Sequence, residues 1–377
     1  MSDEVHLSHG LAGDQQAPDW PPLTEDEVAS LLDGYPSLKG PYAIVWHSPR
    51  PLSAAARVST SAGEVFVKRH HMSLRDERTL AEEHRFATHL RARGIPVPLV
   101  LGDATGRSSV SRGDWVYEVH RSATGNDVYR DAFSWSPAGG AAHAHAAGAM
   151  LARLHLAAEG YDAPQRGTHL LVARAEILSA SDPVSVLAGQ LPGRPALAAY
   201  LSERDWHDEV GTVLGRWTRA AALAVARQTP LWTHGDWHVS NLCWSDASDA
   251  GRITDVLDFG LSARTFALFD LATAIERNAI AWLDIEQGGI ARIDLALGLL
   301  DGYRSVRPLA PADLAALADV LPVVHVDFAL SEVEYFEGIT RHRDHADVAY
   351  RTFLLGHACW FAGTEGQGLL DALRHAR

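Results

Sequence analysis

The sequence predicts an α+β protein of two lobes, a small amino-terminal lobe built on an antiparallel sheet and a larger, mainly helical carboxy-terminal lobe. Three β-prone runs stand in the first third of the chain, at residues 42–46, 64–68 and 115–120. Beyond residue 140 the sequence is rich in Ala and Leu in long helical patterns. The predicted units are a flexible tail over residues 1–22, an amino-terminal lobe over 23–120 and a carboxy-terminal lobe over 121–377.

Helix start signals place the two helices of the amino-terminal lobe. Thr24 and Glu27 have the spacing of a capping box, in which side chains satisfy the free backbone N–H groups of a first turn. A second helix is predicted from a similar start at Ser73–Asp76 to a stop at Gly94, with Pro96 beyond it. The lobe should therefore contain a small sheet with one or two helices.

The most informative segment is His234–Asn241, HGDWHVSN, followed by Asp258 before Phe-Gly. An aspartate with an asparagine five positions later, and then a second aspartate before Phe-Gly, is typical of phosphotransferase sites. Residues 241–244 and 253–258 flank a polar turn and should pair as a hairpin, which places Asn241 beside Asp258. Two oxygen ligands then converge, as Mg²⁺ on phosphates requires. The alternative is a hairpin with an ordinary polar turn.

With these motifs the chain resembles the aminoglycoside phosphotransferase and choline kinase superfamily of small-molecule kinases. Eukaryotic protein kinases normally carry Arg at the place of Gly235. Only a dozen residues separate Asp258 from Asp270, and no Ala-Pro-Glu follows, so a long activation segment has no room. The resemblance implies a bilobal protein-kinase-like fold and transfer of the γ-phosphate of ATP, with Mg²⁺, to a hydroxyl of a small molecule. It makes Asp236 the base, and Asn241 and Asp258 the magnesium ligands.

A kinase also needs an ammonium group on the α- and β-phosphates, positioned by a carboxylate. Lys68 ends a strand-like run and is the candidate for the phosphates. Glu83 shares a helix face with apolar residues, and a carboxylate there needs a cationic partner, so Glu83 is predicted to position Lys68. Glu82 lies on the wetter side of the helix and is the less favoured choice. An ordinary solvated charge at Glu83 is the alternative.

Two further nucleotide contacts are predicted from position alone. A loop over residues 48–56 lies where phosphates should be covered, and Ser53 can add a hydroxyl to the backbone N–H groups there. A plain Pro-rich turn fits the same residues equally well. The adenine base is expected at the segment that joins the lobes, where Glu118 and His120 would offer main-chain groups, with a simple edge strand as the alternative.

The acceptor site is the least determined part of the sequence. In this superfamily the acceptor lies between the catalytic loop and the carboxy-terminal helices, so a helix predicted over residues 323–338 is the relevant one. Glu332 and Tyr335 share a face of it with other aromatic rings, which suits a cationic or polyhydroxyl ligand. His238 is a further candidate for the pocket wall. A second buried helix face, with Glu332 at its rim, is the alternative.

Composition limits the partners and the location. A formal net charge of −14 and a pI near 5.7 argue against nucleic acid or an anionic membrane as the main partner. Cys243 and Cys359 are the only cysteines, which fits a reducing cytoplasm and no disulfide framework. We recognise neither a signal peptide nor an apolar run near the ~20 residues of a membrane span. A cytoplasmic enzyme with a small hydroxyl acceptor is expected, in an oligomeric state left open.

Two other functions stay open at this point. The carboxy-terminal region also resembles Ser/Thr protein kinases of the bacterial stress-response type. The chain could alternatively be a nucleotide-binding pseudokinase or a regulatory partner. The complete set of Lys68, Glu83, Asp236, Asn241 and Asp258 speaks against lost chemistry. Neither the acceptor nor the preference between ATP and GTP follows from these residues.

Overall fold

The computed structural model describes residues 6–11, 13–133 and 135–376, and in these ranges it confirms the two-lobed α+β fold. The first lobe comprises β1 (Ser8–His9), β2 (Gln15–Gln16), α1 (Glu25–Leu32), β3 (Ala43–His47), β4 (Ala54–Ser59), β5 (Val65–His71), α2 (Glu77–Ala92), β6 (Ser109–Arg112) and β7 (Trp115–Arg121). The second lobe comprises α3 (Ala141–Ala158), α4 (Pro183–Gln190), α5 (Pro195–Leu201), α6 (Trp206–Val225), β8 (Pro230–Thr233), β9 (Leu242–Trp244), β10 (Ile253–Val256), β11 (Ala263–Phe266), α7 (Ala267–Ala279), α8 (Ile293–Val306), α9 (Pro311–Val320), α10 (Val326–Tyr335), α11 (Arg343–Val348), α12 (His357–Ala362) and α13 (Thr364–Arg374).

The amino-terminal sheet has five antiparallel strands in the order β3-β4-β5-β7-β6. Lys68 lies in the middle of β5, opposite Ala55 of β4 and Glu118 of β7, and not at the end of a strand as predicted. The strand continues because Arg69, His70 and His71 keep the alternation of the two faces although all three are polar. The central strand therefore holds Lys68 rigidly from both sides.

Helix α2 begins three residues later than the sequence suggested. Asp76 is its N-cap and accepts a hydrogen bond from the backbone N–H of Thr79, whose hydroxyl accepts one from the N–H of Asp76 in return. Ser73 takes no part, since its hydroxyl is paired with His71. Glu83 is buried on the inner face of the helix, as the apolar stripe predicted.

The predicted flexible tail is packed against both lobes in its described part. The indole of Trp20 stacks on His71 of β5 with ring centroids 5.2 Å apart, and lies edge-on to Trp115 of β7. Its N–H donates to the hydroxyl of Tyr335 on α10 at 3.2 Å. Arg69 also donates to the carbonyl of Pro21. Trp20 anchors this mostly polar segment, so the expectation of a loose tail is wrong for its described part. Residues 1–5 and 12 lie outside the described residues.

The core of the second lobe includes a close contact between the backbones of α3 and α8. A Cβ atom on Gly148 would lie 1.9 Å from the carbonyl oxygen of Leu299, and one on Gly302 would lie 1.9 Å from that of His145. No side chain fits at either place, so glycine sets the distance between these two helices. The same lobe contains two short antiparallel pairs, β8 with β11 and β9 with β10.

One run of helix in the described part of the chain, Pro311–Thr340, is long and apolar enough to cross a membrane by length and composition. The expectation that no apolar run approaches the length of a membrane span is therefore wrong. In its most apolar stretch 83% of the residues are buried inside the protein, where α9 and α10 pack against neighbouring helices. The apolar composition is accounted for by this burial in the core.

We predict opposite effects for the same substitution at two helical glycines. Gly302→Ala should lower the free energy of unfolding by about 1–3 kcal/mol, because the added methyl group would overlap a backbone carbonyl. Gly215→Ala in α6, where a Cβ meets nothing within 4 Å, should raise it by about 0.5–1 kcal/mol. Denaturant titrations of both variants test this, and changes of the same sign would contradict the proposed helix contact.

Candidate active site

A cavity of about 290 Å³ lies between the two lobes. Lys68 lines it from the sheet, and Asp236, Asn241 and Asp258 line it from the second lobe. Residues separated by up to 190 positions in the chain thus share one cavity. Its further geometry decides what each of them can do.

The loop that carries Asp236 is held by the buried carboxylate of Asp270. One oxygen of Asp270 accepts the backbone N–H of His234 at 2.8 Å, and the other accepts that of Gly235 at 2.9 Å. His155 contacts the same carboxylate at 3.1 Å. Burial by itself would raise the pKa of Asp270, but these partners hold it below its usual value. The Asp270 carboxylate thus replaces solvent for two loop N–H groups.

Gly235 and His234 have structural tasks in this loop. Gly235 has a φ of +78°, and a Cβ there would lie 2.6 Å from the carbonyl oxygen of Leu261. This crowding excludes a side chain at the place where eukaryotic protein kinases normally carry Arg. His234 is fully buried, with Nε2 2.8 Å from the carbonyl oxygen of Leu257. The histidine braces the loop against the strand that leads to Asp258.

Asp236 is oriented on both of its oxygens. The amide nitrogen of Asn241 donates to Oδ2 at 3.1 Å and to the main-chain carbonyl of Asp236 at 2.9 Å. The guanidinium of Arg277 on α7 lies 2.5 Å from Oδ1. With the nitrogen of Asn241 engaged in this way, its amide oxygen is the atom left to bind a metal ion.

The hairpin of β9 and β10 brings Asn241 and Asp258 together, as the sequence predicted. Val256 pairs with Leu242, and the N–H of Leu257 donates to the carbonyl of Asn241 at 2.8 Å. Asp258 follows with a φ of +53°, a left-handed conformation that Asp tolerates better than most residues. This left-handed residue turns the chain away from the hairpin directly after Leu257.

Lys68 and Asp258 form an ion pair across the lobes. The ammonium nitrogen lies 3.1 Å from Oδ1 of Asp258, which also accepts the N–H of Gly260 at 3.3 Å. Burial opposes the charge on each group, but their mutual attraction outweighs it, so the pKa of Lys68 is raised and that of Asp258 is lowered. Both groups are charged at neutral pH. The side chain of Asp258 remains 42% exposed to the cavity side, which leaves its second oxygen accessible.

The predicted ion pair between Glu83 and Lys68 is not formed. The carboxylate of Glu83 lies 3.3 Å from the buried guanidinium of Arg166, and the described residues show no ion pair between it and Lys68. Arg166 also donates to the carbonyls of Thr79 and Gly260, both at 2.9 Å. It therefore ties α2 to the segment after Asp258. Arg166 stands 83 positions from Glu83 in an irregular segment, so no local pattern pointed to it.

The predicted loop lies between β3 and β4, and Ser53 lines the cavity as expected. Sequence reasoning missed Arg50 in the same loop. Its guanidinium lines the cavity and donates to the carbonyl of Tyr129 at 3.2 Å. Burial lowers the pKa of Arg50, while the carboxylates of Asp127 and Asp236 act in the opposite direction. The sequence did contain a signal for Arg50, since it is a cationic residue within the loop expected to cover the phosphates.

The prediction for Glu118 and His120 needs correction. Glu118 lies in the middle of β7, opposite Lys68 and Ser109, so its backbone belongs to the sheet ladder. Its side chain is 2% exposed and contacts three imidazoles, although we had expected no special role for it. His120 pairs with Phe66 in the same ladder. The main chain of both residues therefore takes part in strand pairing.

Two predicted acceptor residues have structural tasks instead. His238 is 2% exposed, and its ring nitrogens contact the hydroxyl of Ser240 and the carbonyl of Ser136, both at 2.7 Å. Burial lowers its pKa to about 4. Tyr335 is fully buried, and its hydroxyl contacts Trp20 and Asp19 of the amino-terminal segment. The predicted face of α10 exists, but Tyr335 at its end contacts the amino-terminal segment, which was expected to be flexible.

Glu332 belongs to a buried charged cluster behind the catalytic loop. Its Oε2 lies 3.6 Å from Nε2 of His325, whose other ring nitrogen lies 3.6 Å from Glu276. Burial alone would lower the pKa of His325, but the two carboxylates raise it to about 9. His325 is therefore an imidazolium at neutral pH. Glu276 also contacts His357, whose pKa burial lowers to about 4.

Arg277 connects this cluster to Asp236. Its guanidinium lies 4.8 Å above the ring of Trp135 and 5.3 Å from that of Phe328, and the ring of His325 packs against both aromatic residues. Sequence reasoning missed Arg277. The signal was its spacing of seven residues from Asp270, two helical turns on the same face of α7.

Residues 52–309 match the model of the phosphotransferase enzyme family. The chain belongs to this family. A homoserine kinase of Allorhizobium ampelinum is 26% identical over 246 residues, which cover 61% of each chain. The chain spans about half to three fifths of the length of the curated relatives it matches first.

Solved structures show the same fold at low sequence identity. A microcompartment-associated aminopropanol kinase superposes with a TM-score of 0.61 at 14% identity, covering 94% of this chain and all of the other. An amicoumacin kinase in complex with AMP-PNP and Ca²⁺ gives a TM-score of 0.56 at 15% identity, over 93% of this chain and 92% of the other. These structures confirm the predicted fold, and the family match over residues 52–309 confirms the superfamily inferred from the motifs.

We predict that the two adjacent glutamates of α2 differ in their effect on stability. Glu83→Gln should lower the free energy of unfolding by about 1–3 kcal/mol, because it removes the nearer of the two carboxylates that contact the buried Arg166. Glu82→Gln should change it by less than ~1 kcal/mol, because Glu82 lies farther from Arg166, at 3.5 Å, and its side chain is 16% exposed. Urea denaturation of the two variants provides the comparison. Equal losses would mean that Arg166 depends on Glu83 no more than on Glu82.

We also predict a pH dependence of stability that originates at His325. Its pKa is raised in the fold, so its stabilising effect is complete below pH 6.5 and is lost as the pH rises through about 9. The loss should amount to roughly 2–3 kcal/mol, since each pKa unit is worth about 1.4 kcal/mol. The measurement is the free energy of unfolding between pH 6.5 and 9 for the wild type and His325→Asn. If both fall equally, His325 is not the group responsible.

Proposed function

We propose that this protein is an ATP- and Mg²⁺-dependent kinase that transfers the γ-phosphate to a hydroxyl group of a small metabolite. The observation that carries the proposal is the convergence of Lys68, Asp236, Asn241 and Asp258 on one cavity between the lobes. Membership of the phosphotransferase enzyme family supports it, as does the likeness in fold to a kinase solved with an ATP analogue.

The donor side fits a magnesium nucleotide in charge and in ligand type. The exposed oxygen of Asp258 and the amide oxygen of Asn241 are hard donors of the kind that Mg²⁺ prefers, and they lie on adjacent ends of one hairpin. Bound there, the ion would neutralise charge on the transferring phosphate. Lys68 provides the cation for the α- and β-phosphates, and Arg50 adds a second positive charge from the loop above.

The transfer step needs a group that accepts the proton of the acceptor hydroxyl, and Asp236 is the carboxylate placed for it. Asn241 and Arg277 each hold one oxygen of this carboxylate. Arg277 is thus a positioning residue, because it acts on the acceptor through Asp236. The Asp270 contacts hold the backbone of the loop that carries Asp236.

For the acceptor we propose an amino alcohol or a homoserine-like compound. Two proteins similar to this chain are a homoserine kinase and an aminopropanol kinase, and the acceptors in both names carry an amine and a hydroxyl. The two charged side chains behind Asp236 already have partners, Arg277 in Asp236 and Glu332 in His325, so the choice of acceptor rests on these two relatives.

The same geometry disfavours a protein acceptor. Strand β11 starts at Ala263, five residues after Asp258, and α7 follows it directly. A long activation segment that would present a peptide platform therefore has no place between the metal site and α7. A panel of hydroxylated amines and amino acids, scored by ADP release with Mg²⁺ and ATP, tests the proposal. Phosphorylation only of proteins in a lysate, with no small molecule active, would contradict it.

We predict that Asp236→Asn lowers kcat by about 10² to 10⁴, because a general base contributes rates of this size. Nucleotide affinity should change little, since the residue contacts the acceptor side. Asp249→Asn, in the exposed turn between β9 and β10, is the matched control and should keep wild-type kinetics. Activity of Asp236→Asn within about threefold of wild type would remove it from the role of base.

We predict different magnesium dependences for the two metal ligands. Asn241→Ala should need a higher Mg²⁺ concentration for half-maximal activity, because loss of a neutral ligand weakens the site without removing its charge. Asp258→Ala should stay inactive at all Mg²⁺ concentrations, because it removes the charged ligand and the partner of Lys68. The test is a Mg²⁺ titration at fixed ATP. An unchanged midpoint for Asn241→Ala would place Asn241 outside the metal site.

A further inference from the structure

A cluster of three imidazoles surrounds the buried carboxylate of Glu118 at the back of the cavity. Nε2 of His84 lies 2.6 Å and Nε2 of His120 lies 2.9 Å from the same oxygen, Oε2. Nε2 of His70 lies 3.0 Å from the other oxygen, Oε1. The phosphotransferase chemistry described above uses none of these side chains.

We propose that His84, His120 and Glu118 form a binding site for a divalent transition-metal ion such as Zn²⁺. Their ligand atoms all lie within 4.8 Å of one another, so one ion can contact all three after small side-chain movements. Two imidazole nitrogens and a carboxylate oxygen are ligands that Zn²⁺ and Co²⁺ accept. Three protein ligands leave one position open, and the cavity-lining ring of His120, 23% exposed, places that position on the cavity side.

The surroundings of the cluster are those of a prepared metal site. Nδ1 of His84 lies 2.9 Å from the hydroxyl of Ser108, which can accept its proton and leave Nε2 free to bind a metal ion. His70 contacts the second oxygen of Glu118 and so orients the carboxylate from behind. The ligands stand on α2 and β7, two regular elements that fix their positions.

This site is separate from the magnesium site in position and in chemistry. Mg²⁺ prefers oxygen ligands and binds imidazole poorly, so it should not compete for two histidines. The two sites are nevertheless coupled through Lys68, which lies opposite Glu118 in the sheet and is attracted by its charge. A divalent cation on Glu118 would cancel that attraction and repel the ammonium group. The bound ion should therefore weaken the hold of Lys68 on the nucleotide and act as an inhibitor.

The test is metal binding by the full chain after treatment with a chelator, in the presence of Mg²⁺ and without nucleotide. We expect one Co²⁺ site that gives visible absorption bands and is displaced by Zn²⁺. His84→Gln and His120→Gln should each weaken Zn²⁺ binding by about 10-fold or more, and Ser108→Ala should weaken it by about 10-fold while keeping all ligands. His145→Gln, an exposed histidine of α3, is the matched control and should bind Zn²⁺ like the wild type.

Thermal denaturation keeps the test valid if a ligand variant folds poorly. Zn²⁺ should raise the Tm of the wild type and of His145→Gln, and should do so much less for Ser108→Ala, which disturbs the fold least. Zn²⁺ should also raise the KM for ATP of the wild type. Absence of Zn²⁺ binding to the wild type, or an affinity for Zn²⁺ in His84→Gln and His120→Gln equal to that of the wild type, would overturn the proposal.

Discussion

The active-site geometry depends on a single buried carboxylate, that of Asp270. It accepts two consecutive backbone N–H groups of the loop that carries Asp236, and such groups are costly to bury without an acceptor. Because α7 supplies both Asp270 and Arg277, one helix fixes the loop backbone and the carboxylate of Asp236 together. Any shift of this helix would move both at once, so the position of Asp236 relative to Asn241 and Asp258 follows from the packing of α7 in the core.

Buried guanidinium groups perform a similar task between the lobes. Arg75 donates to the carbonyls of Leu170 and Leu171 at 2.9 and 2.5 Å, and Arg166 donates to that of Gly260. Arg75 lies just before α2 and Arg166 also donates to Thr79 of that helix, so these contacts join the start of α2 to the irregular segments of the second lobe. Each guanidinium satisfies several carbonyls at once, which suits a region where regular secondary structure is absent. These polar contacts add to an apolar one, since Phe86 of α2 packs against Trp232 and Phe259.

The sequence predicted those parts of the site that depend only on residues close to one another in the chain. The spacing within His234–Asn241 and the hairpin to Asp258 need only neighbouring residues, so strand pairing follows from pattern. The partner of Glu83 could not be found this way, because Arg166 comes from an irregular segment in the other lobe. Alternation in the sequence pointed to three strands of the first lobe, and the bilobal fold followed from the resemblance to the small-molecule kinases. The packing of Trp20 was not, since one aromatic residue decides it within a polar stretch that has no periodicity.

The position of Trp20 has a consequence for turnover. Its ring rests on His71 of the first lobe while its N–H is bonded to Tyr335 of the second, so the amino-terminal segment crosses the cleft from outside. In the function proposed above, exchange of spent for fresh nucleotide would require the lobes to separate. In many enzymes the opening of the site or the release of product, and not the chemical step, limits the overall rate. A segment far from the phosphates would then govern how long the product nucleotide resides in the enzyme, and exchange of this indole for a smaller side chain would shorten that residence time.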